Sequence, residues 1–189
     1  KGALPEPYRW FGLQLQQALS QKRIPVKDVT YCFDPVEVDN SSLVSFPSPS
    51  LERICRVVNK HSNNLYADHL FLSLGKSCNR PNWDGGAFVL SRYCREKVGT
   101  RSLLVYDGSG LSPFNSFSAG DMVKLLHYAS KQPFFDDFYA SLSVSGVDGT
   151  LRNLWRDEAT KGHIRGKSGT MNGVLGYAGY ISTNDNRLL

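Results

Sequence analysis

A chain of 189 residues, 41% hydrophobic and 21% charged, can fill one globular domain with a sizeable core. No apolar run is long enough to cross a bilayer and no signal peptide is visible; the opening Lys1-Gly2-Ala3 reads as the start of a fragment, so export and membrane association stay open. The net charge of +5 comes from Lys and Arg scattered among acids and apolar positions. No basic helix face emerges, and nucleic acid is not an expected partner.

Phe11, Leu15, Ala18 and Leu19 follow helical spacing, and Ile24-Pro25-Val26 ends that helix. Residues 28–44 read as extended pieces and turns. Ser48-Pro49 offers an N-cap with Pro at the first helical position, before the apolar face of Ile54, Val57 and Val58. Leu65, Leu70, Phe71 and Leu74 predict the next helix, with Gly75 as its C-cap. A helix over 83–98 follows, then a short strand Leu103-Leu104-Val105 and a turn at Asp107-Gly108-Ser109-Gly110. Ser118 with Asp121 resembles a capping box for a helix over 122–129. Short helices are expected over 133–142 and 151–157.

The C-terminal part changes character. Asn172-Gly173 lies between two β-compatible runs and predicts a tight hairpin with φ > 0 at both turn residues. That turn pairs Met171 with Val174, Thr170 with Leu175 and Lys167 with Ala178. Residues 183–186 turn again, and Arg187-Leu188-Leu189 begin a third strand. The sum is an α+β arrangement: an antiparallel sheet beside a cluster of helices.

The four cysteines, Cys32, Cys55, Cys78 and Cys94, form no C-x-x-C pair, so no metal is expected. An even count permits disulfides without fixing their pairing. Cys55 and Cys94 sit in helical apolar patterns that suit buried thiols equally well.

Four segments carry chemistry. Lys167-Ser168-Gly169-Thr170 puts one cation, two hydroxyls and a glycine on the first hairpin strand. Such a strand can receive a carboxylate-ended peptide laid beside it, with Gly169 letting another backbone approach. An ordinary edge hairpin with a solvated Lys also fits this segment alone. Ser62-Asn63-Asn64 forms a Ser-x-Asn element between two helices, where polar side chains can point into a cleft. Tyr106-Asp107-Gly108-Ser109-Gly110-Leu111-Ser112 and Gly146-Val147-Asp148-Gly149-Thr150-Leu151 complete the set. Asp107 and Asp148 precede glycines and read as turn residues. His61 reads as a partly exposed structural residue, and Arg165 as a solvated strand cation. Asp136-Asp137 are adjacent on a helix and do not face each other, which removes a glycosidase reading.

With these elements in this order, the chain from about Tyr8 to the C-terminus resembles the D-alanyl-D-alanine carboxypeptidase/endopeptidase family, the class C low-molecular-mass penicillin-binding proteins. The resemblance implies part of the serine β-lactamase/penicillin-binding transpeptidase fold, an antiparallel sheet flanked by helices, with the site between sheet edge and helical lobe. It implies a peptidase of the periplasm or cell envelope that attacks peptidoglycan stem peptides through an acyl-enzyme and is inhibited by β-lactams, with no cofactor. Ser62 would relay protons near the leaving amine, and Asn64 would bind the substrate amide. Lys167 would supply positive potential that keeps a neighbouring Lys neutral. Ser168 and Thr170 would hold the terminal carboxylate beside Gly169, and the N–H near Thr170 would serve the oxyanion.

The family's nucleophile lies in a Ser-x-x-Lys motif ahead of the Ser-x-Asn element. The literal match here, Ser73-Leu74-Gly75-Lys76, follows Ser62 and sits at a helix end, so it reads as chance. The chain is expected to be a partial domain over 1–189, lacking its Ser-x-x-Lys segment and a last strand and helix, and inactive alone. The alternative is a noncatalytic peptidoglycan-binding homologue. A β-lactamase is disfavoured by the Asp107–Ser112 and Gly146–Leu151 elements.

Overall fold

The computed structural model describes residues 4–33, 45–183, 185 and 187–189; the opening Lys1-Gly2-Ala3, residues 34–44 of the expected extended stretch 28–44, and positions 184 and 186 of the expected turn lie outside them. The chain divides into two units, Lys1–Pro47 and Ser48–Leu189.

In the first unit, α1 (Pro7–Gln21) carries Pro in its first turn, where the missing N–H costs nothing. The Tyr31 hydroxyl donates to the Arg9 carbonyl at 3.3 Å, and its ring meets Tyr8 edge-on at 5.5 Å. Gly12 leaves room for that contact: a Cβ there would lie 3.0 Å from the Tyr31 hydroxyl.

The second unit opens with α2 (Leu51–His61), capped by Ser50 rather than Ser48. Ser50 Oγ accepts from Arg53 N at 3.4 Å, whereas Ser48 Oγ turns to the Pro49 carbonyl. Asn63 caps α3 (Asn64–Gly75) by accepting from Tyr66 N. Gly75 is not a left-handed cap; the helix tightens through Lys76–Cys78 and reverses at Asn79, with φ 55°. Gly75 is there for space, because a Cβ would meet the Arg80 carbonyl at 2.1 Å. On α4 (Trp83–Tyr93), Gly86 lets the helix close onto α3, since a Cβ would sit 2.6 Å from the Phe71 carbonyl. A wider turn, Cys94–Val98, extends α4 to Gly99.

The expected strand at Leu103–Val105 shrinks to one bridge, Leu104 with Ser116. Side chains take the neighbouring backbone groups: Tyr106 N donates to Asn115 Oδ1, and Ser102 N to Asp121. Ser118 caps α5 (Ala119–Ala129) through Asp121 N at 3.1 Å, but the reciprocal half of a capping box is missing. Asp121 instead accepts from the Ser102 hydroxyl, Lys124, Ser102 N and Arg101 N, which hold its buried carboxyl far below the usual range.

After α6 (Phe135–Ser141), the expected helix over 151–157 is only a 3-10 turn, Gly149–Leu151. Trp155, at φ 51°, breaks any continuation.

The sheet has the order β1-β2-β3, all antiparallel: β1 (Ser143–Val144), β2 (Ile164–Met171) and β3 (Val174–Ile181). The hairpin register matches expectation at Met171↔Val174, Thr170↔Leu175 and Lys167↔Ala178. The turn differs: Gly173 has φ 75°, and Asn172 does not take a positive φ. The expected third strand at Arg187–Leu189 is an isolated bridge, Ser182 with Leu188, beside which Ile181 and Leu189 exchange both backbone hydrogen bonds. Tyr180, 4% exposed, anchors the sheet in an aromatic cluster with Phe135 at 5.3 Å and Tyr139 at 5.8 Å. Its hydroxyl donates to the Leu126 carbonyl at 2.8 Å, and burial pushes the phenol up to about 12. Cys55, Cys78 and Cys94 are unbridged, and burial raises the thiols of Cys55 and Cys94.

Candidate active site

Two elements far apart in sequence meet at Ser62 and Lys167. Ser62 is the C-cap of α2 and takes the left-handed conformation, φ 52° and ψ 50°, as a non-glycine residue. That conformation costs about 1 kcal/mol or more for an L-residue, so its surroundings must hold it. Asn63 starts α3 at once, so α2 and α3 are joined by a sharp two-residue corner with Ser62 at its tip.

Lys167 reaches that corner from β2. Its Nζ donates to Ser62 Oγ at 2.8 Å, across 105 residues of chain, and also to its neighbour's carbonyl at Ser168. Lys167 is half-buried, and that burial lowers its ammonium pKa.

β1 pairs with β2 only at Gly166 and Arg165. From Lys167 onward that edge of β2 has no strand partner among the described residues; the Ser168 carbonyl is taken by Lys167 Nζ, and the N–H of Thr170 remains for an extended peptide. A Cβ on Gly169 would meet nothing within 4 Å, so the glycine faces free space. Ser168 pairs with Tyr177 and Thr170 with Leu175; strand alternation therefore puts their hydroxyls on the opposite sheet face from Lys167. Lys167, Ser168 and Thr170 can act on one molecule only along the strand edge. Asn64 is exposed in the first turn of α3, and its side chain makes no hydrogen bond among the described residues.

Ser73 does not join them. Its Oγ donates to the His69 carbonyl, 2.7 Å away and one turn back in α3. His61 is exposed at the end of α2. Asp107 has the expected turn role: it accepts from Gly110 N, Ser112 N and Asn115 Nδ2. Asp68 of α3 anchors the same loop through Gly108 N and Ser109 N.

The chain matches the model of the D-Ala-D-Ala carboxypeptidase 3 (S13) family over residues 3–189. It belongs to that family. A D-alanyl-D-alanine carboxypeptidase of Actinomadura sp. (strain R39) is 35% identical over 185 residues, which is 93% of this chain and 34% of that protein. Carboxypeptidase DacB of Mycolicibacterium smegmatis is 27% identical over 150 residues, 75% of this chain and 32% of that one. The chain thus spans about a third of the length of these curated relatives. In structure it is similar to penicillin binding protein 4 of Haemophilus influenzae, solved with a β-lactam, at TM-score 0.66, 25% identity, and 72% of this chain against 33% of that one. A penicillin G acylated endopeptidase of Bdellovibrio bacteriovorus shares the fold at TM-score 0.57 and 20% identity, covering 73% of this chain and 36% of that one.

Around this S13 corner are residues that sequence reasoning did not assign to the site. Lys60 Nζ pairs with Asp148 Oδ2 at 2.5 Å, and Asp148 Oδ1 accepts from Val144 N at 2.8 Å. Burial pushes the Asp148 carboxyl up, but Lys60, the Val144 N–H and the charge of Arg165 outweigh it and leave it below the usual range. Arg165 is not simply solvated: its guanidinium lies 4.8 Å from the centre of the Tyr139 ring. Asn59 donates to Ser141 Oγ at 2.7 Å, and its carbonyl accepts from Ser143 Oγ at 3.3 Å.

Proposed function

We propose that the protein carrying this chain is a serine-type D-Ala-D-Ala carboxypeptidase or endopeptidase that cleaves peptidoglycan stem peptides at the cell envelope. The observation that carries this reading is the 2.8 Å contact between Ser62 and Lys167, which joins the Ser-x-Asn and Lys-Ser-Gly elements into one site. The open edge of β2 beside it is the natural seat for an extended peptide.

The hydroxyl of the Ser-x-x-Lys serine gives its proton to the Lys of that motif as its oxygen attacks the carbonyl carbon before the terminal D-alanine, and the bond to the D-alanine nitrogen breaks. The leaving amine takes a proton, which Ser62 relays. Water then hydrolyses the acyl-enzyme. Asn64 donates to the substrate amide oxygen. Lys167 sets a positive potential, Ser168 and Thr170 bind the carboxylate, and Gly169 lets the peptide lie against the strand. The N–H of Thr170 faces the developing oxyanion. β-Lactams acylate the same serine. Because Ser73 is committed to its own helix, the nucleophile is assigned to a Ser-x-x-Lys segment outside these 189 residues.

Labelling the full-length protein with fluorescent penicillin, then mapping the acylated serine, tests the reading. The expected adduct lies on a Ser-x-x-Lys serine and forms much more slowly in Ser62→Ala. Peptidoglycan binding without any adduct would replace this reading with a noncatalytic binding protein.

A further inference from the structure

Ser62 and Lys167 are separated by 105 residues, so something other than the chain must fix their 2.8 Å contact. A closed circuit of contacts runs through both residues. Lys60, two residues before Ser62, holds Asp148 at 2.5 Å. Asp148 holds Val144 N at 2.8 Å through its other oxygen. Val144 pairs with Arg165 across the β1–β2 ladder, two residues before Lys167. Lys167 then closes the ring on Ser62.

Local details favour a fixed ring over a chance ion pair. The Lys60 side chain is 12% exposed, so its ammonium is held in place rather than waving in solvent. Gly149, next to Asp148, takes φ +57° and passes close enough that a Cβ would lie 3.1 Å from the Lys60 carbonyl. Asn59 adds the Ser141 and Ser143 contacts on the preceding residue. The last turn of α2 is therefore tied to one segment, 141–149, immediately before the residue that must stay left-handed.

We propose that Lys60 and Asp148 are positioning residues: their ion pair keeps the strained Ser62 corner facing Lys167 and so sets the geometry of proton relay. This rests on the peptidase reading above. Neither residue is among those assigned to the substrate above. A purely structural pin would instead stabilise α2 without a specific effect on Ser62.

The test uses the full-length protein, with the rate of penicillin acylation and the thermal melt measured together. Asp148→Asn retains an oxygen for Val144 N but loses the charge, and Lys60→Met loses it from the other side. Each should slow acylation at least tenfold, with the double variant no slower than either single one. Lys60→Arg, which keeps the pair, should retain most of the rate. In a Ser62→Ala background, Asp148→Asn should change the remaining rate less than twofold, because the residue it positions is gone. If Asp148→Asn does not fold, Lys60→Met and Lys60→Arg decide in its place, with Lys60→Met carried into the Ser62→Ala background.

The positioning role is overturned if Asp148→Asn acylates within twofold of wild type. It is also overturned if the full penalty persists in Ser62→Ala, or if rates merely follow melting temperature. Wild-type acylation by Ser62→Ala would sink the peptidase assignment of Ser62 together with this inference. Slow Ser62→Ala beside fast Asp148→Asn would sink the inference alone.

Discussion

Replacing Lys167 by Ala in the full-length protein separates a chemical role from a structural one. The side chain is half-buried, but the ladder bonds of β2 come from backbone groups and survive its loss. What disappears is the donation to Ser62 Oγ at 2.8 Å and the charge beside the open strand edge. A hydrogen bond involving a charged group is worth about 1.5–3 kcal/mol. At about 1.4 kcal/mol per decade, the loss is roughly tenfold to a hundredfold in rate if the contact acts in the transition state. Arg165→Ala is the control, two residues away on the same strand face. It forfeits the stacking on Tyr139 and the attraction to Asp148, so it should lower the melting temperature more than the acylation rate. Penicillin acylation rates and melts of the wild type and both variants give the answer. Equal acylation by Lys167→Ala and wild type, at unchanged melting temperature, would remove Lys167 from the site.

Three further outcomes are expected. Ser73→Ala should leave acylation unchanged in the full-length protein, since among the described residues Ser73 Oγ serves only the His69 carbonyl; loss of the adduct would overturn the assignment of the nucleophile to another segment. Gly149→Ala combines a left-handed φ with a Cβ 2.2 Å from Ser143 Oγ, so urea denaturation should show a loss of about 2 kcal/mol or more. Tyr180 holds its proton more tightly folded than unfolded, so stability should fall as pH rises from about 10 to about 12, and Tyr180→Phe should remove that limb.

The parts legible in the sequence were those with local causes. The hairpin register followed from two β-compatible runs around Asn172-Gly173, because a two-residue loop leaves one way to pair them. The Ser118 cap and the α2–α3 corner were visible for the same reason. The errors were also local, where two neighbouring signals competed. Ser48 and Ser50 both suit a cap, and only the geometry of the Arg53 N–H chose between them. Gly75 looked like a left-handed terminus, yet its role is to admit the Arg80 carbonyl, a contact that no periodicity reveals.

Asp148 shows why the site itself was harder to see. Asp-Gly in a short segment has a sufficient local explanation as a turn, and Gly149 with φ +57° bears that out. The turn is what aims the carboxylate at two targets at once, Val144 N from its own segment and Lys60 from a helix 88 residues earlier. A residue that satisfies a local rule can therefore carry a long-range contact at no added backbone cost, and the local rule conceals it. Ser62 is the opposite case. Its left-handed backbone satisfies no local preference of serine, and it is flanked by the contacts of Asn59 and Lys60 just before it and by Lys167 on its own hydroxyl. The sequence singled out Ser62 and Lys167 by type and spacing, and the two lie 2.8 Å apart; the Lys60–Asp148 contact beside them belongs to residues whose sequence signals pointed elsewhere.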